Sequence, residues 1–82
     1  MEAATEGLGA RIRRLREKRG LTMAALGRAV GADGAGRTVA SWETGERRPG
    51  TRWLMPLARE LGVRPGYLLS GEGPEGEPGV AG

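Results

Sequence analysis

The chain has 82 residues, enough for one small domain, with 38% hydrophobic residues, 28% charged residues and a net charge of +3. It contains no His and no Cys, which excludes a disulfide framework, thiolate metal sites and most hydrolytic or zinc chemistry; no cofactor is expected. No apolar run approaches the roughly 20 residues of a membrane span and no signal peptide is visible, so the expected location is the cytoplasm.

The modest net charge hides a strong polarity along the chain. All thirteen bases lie between Arg11 and Arg64, and only five acids fall within residues 7–69, so that stretch carries +8. The flanks hold Glu2, Glu6, Glu72, Glu75 and Glu77 and no base. Twelve of the bases are Arg, whose planar fork suits phosphate and guanine, so a polyanion is one reading of the partner. Plain solvation of a basic surface is the other.

Residues 1–6 carry no packing pattern and are expected to be a flexible segment. The first helix is marked by Leu8, Ile12 and Leu15 at i, i+4 and i+7, and is stopped by Gly20 after a cationic last turn. Thr22 then offers an N-cap, with Leu21 and Leu26 placed as a hydrophobic staple, for a second helix over residues 23–30 that ends at Gly31. Residues 32–36 hold two Gly and an Asp and read as a turn. Helical spacing resumes over residues 37–44, with Val39 and Trp42 as apolar anchors, and stops at Gly45.

A loop with Arg47, Arg48 and Pro49 follows. Thr51 is placed to cap a fourth helix through Leu61, with Leu54, Leu57, Ala58 and Leu61 on one face. Pro56 conflicts with that helix, because proline belongs in the first turn; a start near Trp53 or a kink resolves the conflict. Pro65 opens a short fifth helix over residues 65–70, expected to bury Leu68, Leu69 and the ring of Tyr67. Residues 71–82 are rich in Gly, Pro and Glu and are expected to be a disordered acidic tail, dispensable for folding and mildly opposed to binding a polyanion. The fold class is therefore all-α, one compact five-helix domain over residues 7–70.

The second helix, turn and third helix have the pattern of a helix-turn-helix, with small Gly27 where two crossing helices would approach and Gly31 where the chain turns. Arg37, Thr38, Ala40, Ser41 and Thr44 fall on or near the outward side of the third helix. A recognition helix presents groups to the major groove from there. Any small helical hairpin with a solvated face would share the spacing.

Residues 8–71 resemble the lambda-repressor-like helix-turn-helix family, also called the Cro/C1 or xenobiotic-response-element type. The matching stretches are Leu15-Arg16-Glu17-Lys18-Arg19-Gly20-Leu21-Thr22, Ser41-Trp42-Glu43-Thr44-Gly45-Glu46-Arg47-Arg48-Pro49, Leu57-Ala58-Arg59-Glu60-Leu61-Gly62-Val63 and Tyr67-Leu68-Leu69-Ser70-Gly71. The resemblance implies a five-helix fold whose third helix reads double-stranded DNA, usually as a homodimer. It further implies a bacterial or phage transcriptional regulator acting as a repressor. An antitoxin or protein-interaction regulator of the same fold, with a protein partner besides its operator, is the alternative. Two departures stand out: Met23 replaces the usual phosphate-contacting Gln, and the turn is about two residues longer than the common form.

Arg37, Thr38 and Ser41 are the expected base-contacting residues, with Arg37 the candidate reader of guanine. Thr22, Met23, Gly36, Thr44, Arg47, Arg48 and Arg52 are the expected backbone contacts, Met23 through main-chain N–H groups at the start of the second helix. Glu43 could accept from cytosine or form an ion pair; the resemblance points to a structural pair with Arg16. Trp42 reads as core. Tyr67 and Leu68 are the candidate dimer surface.

Overall fold

The computed structural model describes residues 6–72; the expectations for residues 1–5 and 73–82 lie outside the described residues. Five helices follow one another, α1 (Leu8–Lys18), α2 (Met23–Val30), α3 (Gly36–Thr44), α4 (Thr51–Leu61) and α5 (Pro65–Ser70), with no strand among the described residues. The all-α expectation holds.

The same device ends three of the helices. After α1, α2 and α4 a glycine in the left-handed region turns the chain, and the residue after it donates its N–H five residues back: Leu21 to Arg16, Ala32 to Gly27 and Val63 to Ala58. This satisfies carbonyls that a helix end would orphan and points the residue after each glycine at the core. Ala32 and Val63 are accordingly buried, and Leu21 is half-buried against the same cluster.

Ile12 and Leu15 of α1, Leu26 of α2, Val39 of α3, Leu57 of α4 and Leu68 of α5 are the fully enclosed side chains, so each helix contributes to one core. At roughly 1.5–3 kcal/mol per enclosed aliphatic side chain, these positions dominate the stability of so small a domain. α3 packs most extensively on α2 and next on α1, whereas α4 covers α2, and α5 closes the core against α4 and α1.

Several expectations are corrected here. α3 begins one residue earlier than its spacing suggests, at Gly36. Thr51 does not cap α4; Gly50 occupies the cap position and Thr51 is the first helical residue. The helix then runs unbroken through Pro56 rather than starting near Trp53. The carbonyl left without its N–H partner is that of Arg52, a solvent-exposed residue. Leu69 is not buried but 45% exposed, because α5 is only six residues long and turns a single apolar position, Leu68, fully inward. Complete burial also removes Leu68 from any dimer surface.

Arg11 lies on the buried stripe of α1 and ties the domain together. Its Nη1 donates to the carbonyls of Leu68 (2.8 Å) and Leu69 (3.3 Å) at the end of α5, and its Nη2 donates to the carbonyl of Glu6. Glu6 also accepts from Arg14 Nε at 2.8 Å, and Arg14 Nη2 donates to the Tyr67 hydroxyl at 2.8 Å. The Arg14 hydrogen bond holds the Glu6 carboxyl below its usual range, and Glu6 is thereby engaged with both α1 and, through Arg14, α5.

Candidate nucleic-acid interface

The helix-turn-helix crossing is built from missing side chains. A Cβ on Gly27 would lie 2.4–2.5 Å from backbone atoms of Ala35, and one on Gly36 would lie 3.1 Å from the Ala24 nitrogen. A Cβ on Gly9 would lie 2.5 Å from the carbonyl oxygens of Trp42 and Glu43. α3 is therefore seated on backbone at both ends, against α2 near its start and against α1 near its finish. Gly9 carried no recognisable signal in the sequence.

Residues 31–35 link the two helices, and the additional turn length is absorbed by left-handed backbone at Gly31 and Gly34 and by Ala35. Ala35 has φ 43° and ψ −111°, which an alanine adopts only under strain because its Cβ meets the neighbouring peptide groups. Glycine takes that conformation freely. Ala35→Gly is therefore expected to stabilise the domain by about 1 kcal/mol, after the added chain entropy offsets part of the relieved strain. For a domain this size the melting temperature should rise by about 4–8 °C, and a fall would show that Ala35 is unstrained.

Orientation of α3 is set by an ion pair. Arg16 Nε donates to Glu43 Oε2 at 2.6 Å and Arg16 Nη2 to Glu43 Oε1 at 3.1 Å, with the two side chains 9% and 4% exposed. Arg16 Nη1 completes the arrangement by donating to the Leu21 carbonyl at 2.9 Å. The Glu43 hydrogen bonds push the Arg16 pKa up, and the pair is directed inward, between α1 and α3. Trp42, 4% exposed, is core.

The residues expected to touch DNA sit differently from one another. Arg37 is exposed in the first turn of α3, with no ion pair among the described residues. Thr38 and Ser41 are half-buried, and each hydroxyl donates to backbone, Thr38 to the Asp33 carbonyl and Ser41 to the Thr38 carbonyl at 2.7 Å. Their lone pairs remain able to accept, so they can meet a donor such as an adenine or cytosine amino group. Thr44 caps the end of α3, donating to the Ser41 carbonyl at 3.2 Å and accepting from the Glu46 N–H at 3.3 Å.

Thr22 accepts from the Ala25 N–H at 3.0 Å as the N-cap of α2, and Met23 follows it with 36% of its surface exposed. The contact of Gly36 with Ala24 places the start of α3 beside the start of α2, so two positive helix ends converge there. Arg47, Arg48 and Arg52 are exposed. Arg52 alone of these has support, with its guanidinium carbon 4.9 Å from the centre of the Trp53 ring.

Part of the basic excess is thus buried or paired. Arg11 and Arg16 are buried, Arg14 is held by Glu6 and Tyr67, and Arg13 pairs with Glu17 at 3.2 Å. The cations of α3, the following loop and the first turn of α4 are turned outward, as are Lys18, Arg19, Arg28, Arg59 and Arg64 on other parts of the surface. No helix among the described residues is long and apolar enough to cross a membrane, and no group of acidic residues there could hold a metal ion.

Two helices crossing on backbone, with a polar and cationic face on the second, define a helix-turn-helix module. The chain belongs to the helix-turn-helix domain family, whose model matches residues 7–69. It is 37% identical over 68 residues to repressor protein C2 of Salmonella phage P22, covering 83% of this chain but only 31% of that repressor's length.

Among solved structures, the P22 c2 repressor in complex with a synthetic operator matches with a TM-score of 0.75 and 36% identity, over 80% of this chain and 97% of that one. The solution structure of the DNA-binding domain of the P22 c2 repressor matches with the same TM-score and 37% identity, over 82% and 86%. The lambda-repressor-like reading of the sequence is upheld.

Proposed function

We propose that the chain is a sequence-specific double-stranded DNA-binding repressor that places α3 in the major groove. The observation that carries this reading is the division of α3 into two sides. Val39, Trp42 and Glu43 are committed inward to the core and to Arg16, while Arg37, Thr38, Ser41 and Thr44 lie along the other side. Arg47, Arg48 and Arg52 flank that side where the DNA backbone would run, and the converging starts of α2 and α3 offer N–H groups to a phosphate where Met23 cannot. The similarity to an operator-bound phage repressor supports the same assignment.

One domain offers too few contacts for tight specific binding, so the proposed complex is a homodimer on two-fold half-sites about one helical turn apart. Leu69 is the exposed apolar side chain that α5 offers to such an interface, in place of Leu68. Sedimentation with and without duplex tests this; a strict monomer on one asymmetric site would refute it.

The reading itself is tested by selecting bound duplexes from a random pool and titrating the winner at several salt concentrations. A logarithmic salt slope of several units is expected from counterion release, and a flat response would exclude DNA as the ligand. Arg37→Ala should then lose about 1–3 kcal/mol and relax preference at one base pair. Equal loss on every sequence would reduce Arg37 to a phosphate contact.

A further inference from the structure

Trp53 stands in the first turn of α4, half-buried, with two aromatic or cationic neighbours of different kinds. Its ring centroid lies 6.0 Å from that of Trp42 at an interplanar angle of 46°, and the Arg52 guanidinium carbon lies 4.9 Å from the Trp53 ring centre. Trp42 is an enclosed core residue of α3. The three side chains therefore form a chain of contacts from the interior of the proposed recognition helix to an exposed cation on the next helix.

This arrangement addresses a cost that exposed arginines carry. A free guanidinium must be ordered when it meets a phosphate, and the lost rotamer freedom reduces the net gain. A guanidinium lying on an aromatic ring keeps its in-plane N–H donors available while its position is restrained by cation–π attraction. Arg47 and Arg48 have no comparable support in the structure, although they belong to the same basic surface. Arg52 is the cation whose placement is referenced to α3 itself.

We infer that Trp53 is a positioning residue for DNA-backbone binding, holding the Arg52 guanidinium in register with α3 through its own contact with Trp42. This rests on the DNA-binding reading above and adds to it a residue that touches no DNA. The function it assigns to Trp53 is separate from a contribution to the core, because it acts only through Arg52.

A double-mutant cycle on the full chain tests it, with the selected duplex as probe and circular dichroism to verify folding of every variant. Arg52→Ala should weaken binding and lower the salt slope by about one. Trp53→Leu should weaken binding about 2–5-fold, the equivalent of an exposed cation–π contact, and should have no further effect once Arg52 is alanine. Trp53→Tyr, which keeps an aromatic face, should restore most of the affinity.

An equal loss from Trp53→Leu in both backgrounds would overturn the inference, since a purely structural tryptophan acts whether or not Arg52 is present. Should Trp53→Leu fail to fold, the unmodified protein decides. The Arg52 side-chain methylene protons should show an upfield ring-current shift in its NMR spectrum, and its absence overturns the inference. An unmodified protein that binds no duplex defeats the DNA reading, whereas one that binds with additive mutational effects defeats only the role of Trp53.

Discussion

Gly27→Ala should destabilise the domain by about 3 kcal/mol, at the upper end of the usual cost of overpacking. Two effects oppose each other. Alanine favours a helix over glycine by about 1 kcal/mol, and Gly27 lies within α2. Against this, the new Cβ would sit 2.4 Å from the Ala35 carbonyl carbon and 2.5 Å from its Cα and oxygen, all backbone atoms that cannot rotate away. Nor can the turn easily retreat, because Ala35 is already strained and Gly36 is pressed on Ala24. The steric term wins.

Thermal unfolding followed by circular dichroism should show the melting temperature falling by about 4–8 °C per kcal/mol lost. Gly66→Ala is the control: it also lies within a helix, but a Cβ there would have nothing within 4 Å, so it should be neutral or slightly stabilising. A stabilised Gly27→Ala protein would mean that α2 and α3 cross farther apart than the structure shows.

A feature of this domain is legible in the sequence to the extent that it is local. α2 was legible to the residue because Thr22, the apolar period and Gly31 all act within one short segment. The small residue at Gly27 was legible as well, since a helix-turn-helix crossing demands one. Gly9 was not, because its partner backbone at Trp42 and Glu43 is distant in sequence and no local pattern announces the approach.

The cations were the hardest to read. Counting charge treats every arginine as a surface group, yet Arg11 lies one turn from Leu8 and from Leu15, next to Ile12 on the buried stripe, and donates to carbonyls of α5. That position was the available signal, and the charge total concealed it. Glu6 similarly falls in the segment that the sequence marks as flexible, although a carboxylate just ahead of an arginine-rich helix has partners within reach. The hydroxyls of Thr38 and Ser41 face the same difficulty, because composition and period cannot tell which backbone carbonyl a short polar side chain will find.

Glu43→Ala should cost about 3–5 kcal/mol, the penalty for breaking a buried ion pair by removing one partner. Alanine would leave the 9% exposed Arg16 guanidinium with the Leu21 carbonyl as its hydrogen-bond acceptor and the Glu17 carboxylate, 3.9 Å away, as its remaining anion, and water has little access to replace the lost bidentate carboxylate. The exposed Arg13–Glu17 pair gives the contrast, with side chains 65% and 56% exposed; Arg13→Ala, which leaves Glu17 in place beside Arg16, should change stability by no more than a few tenths of a kcal/mol. Replacing both partners, as in Arg16→Met with Glu43→Leu, should recover much of the loss, because neither charge then remains to be desolvated. Denaturant unfolding of the four proteins measures these differences directly. The same series decides between the two roles open to Glu43 in the sequence. As the anchor of α3 on α1, Glu43 governs folding and leaves base preference unchanged among molecules that remain folded. If it read a cytosine instead, Glu43→Ala would leave stability nearly intact and relax preference at one position of the selected site, and the inward orientation of the pair would have to be abandoned.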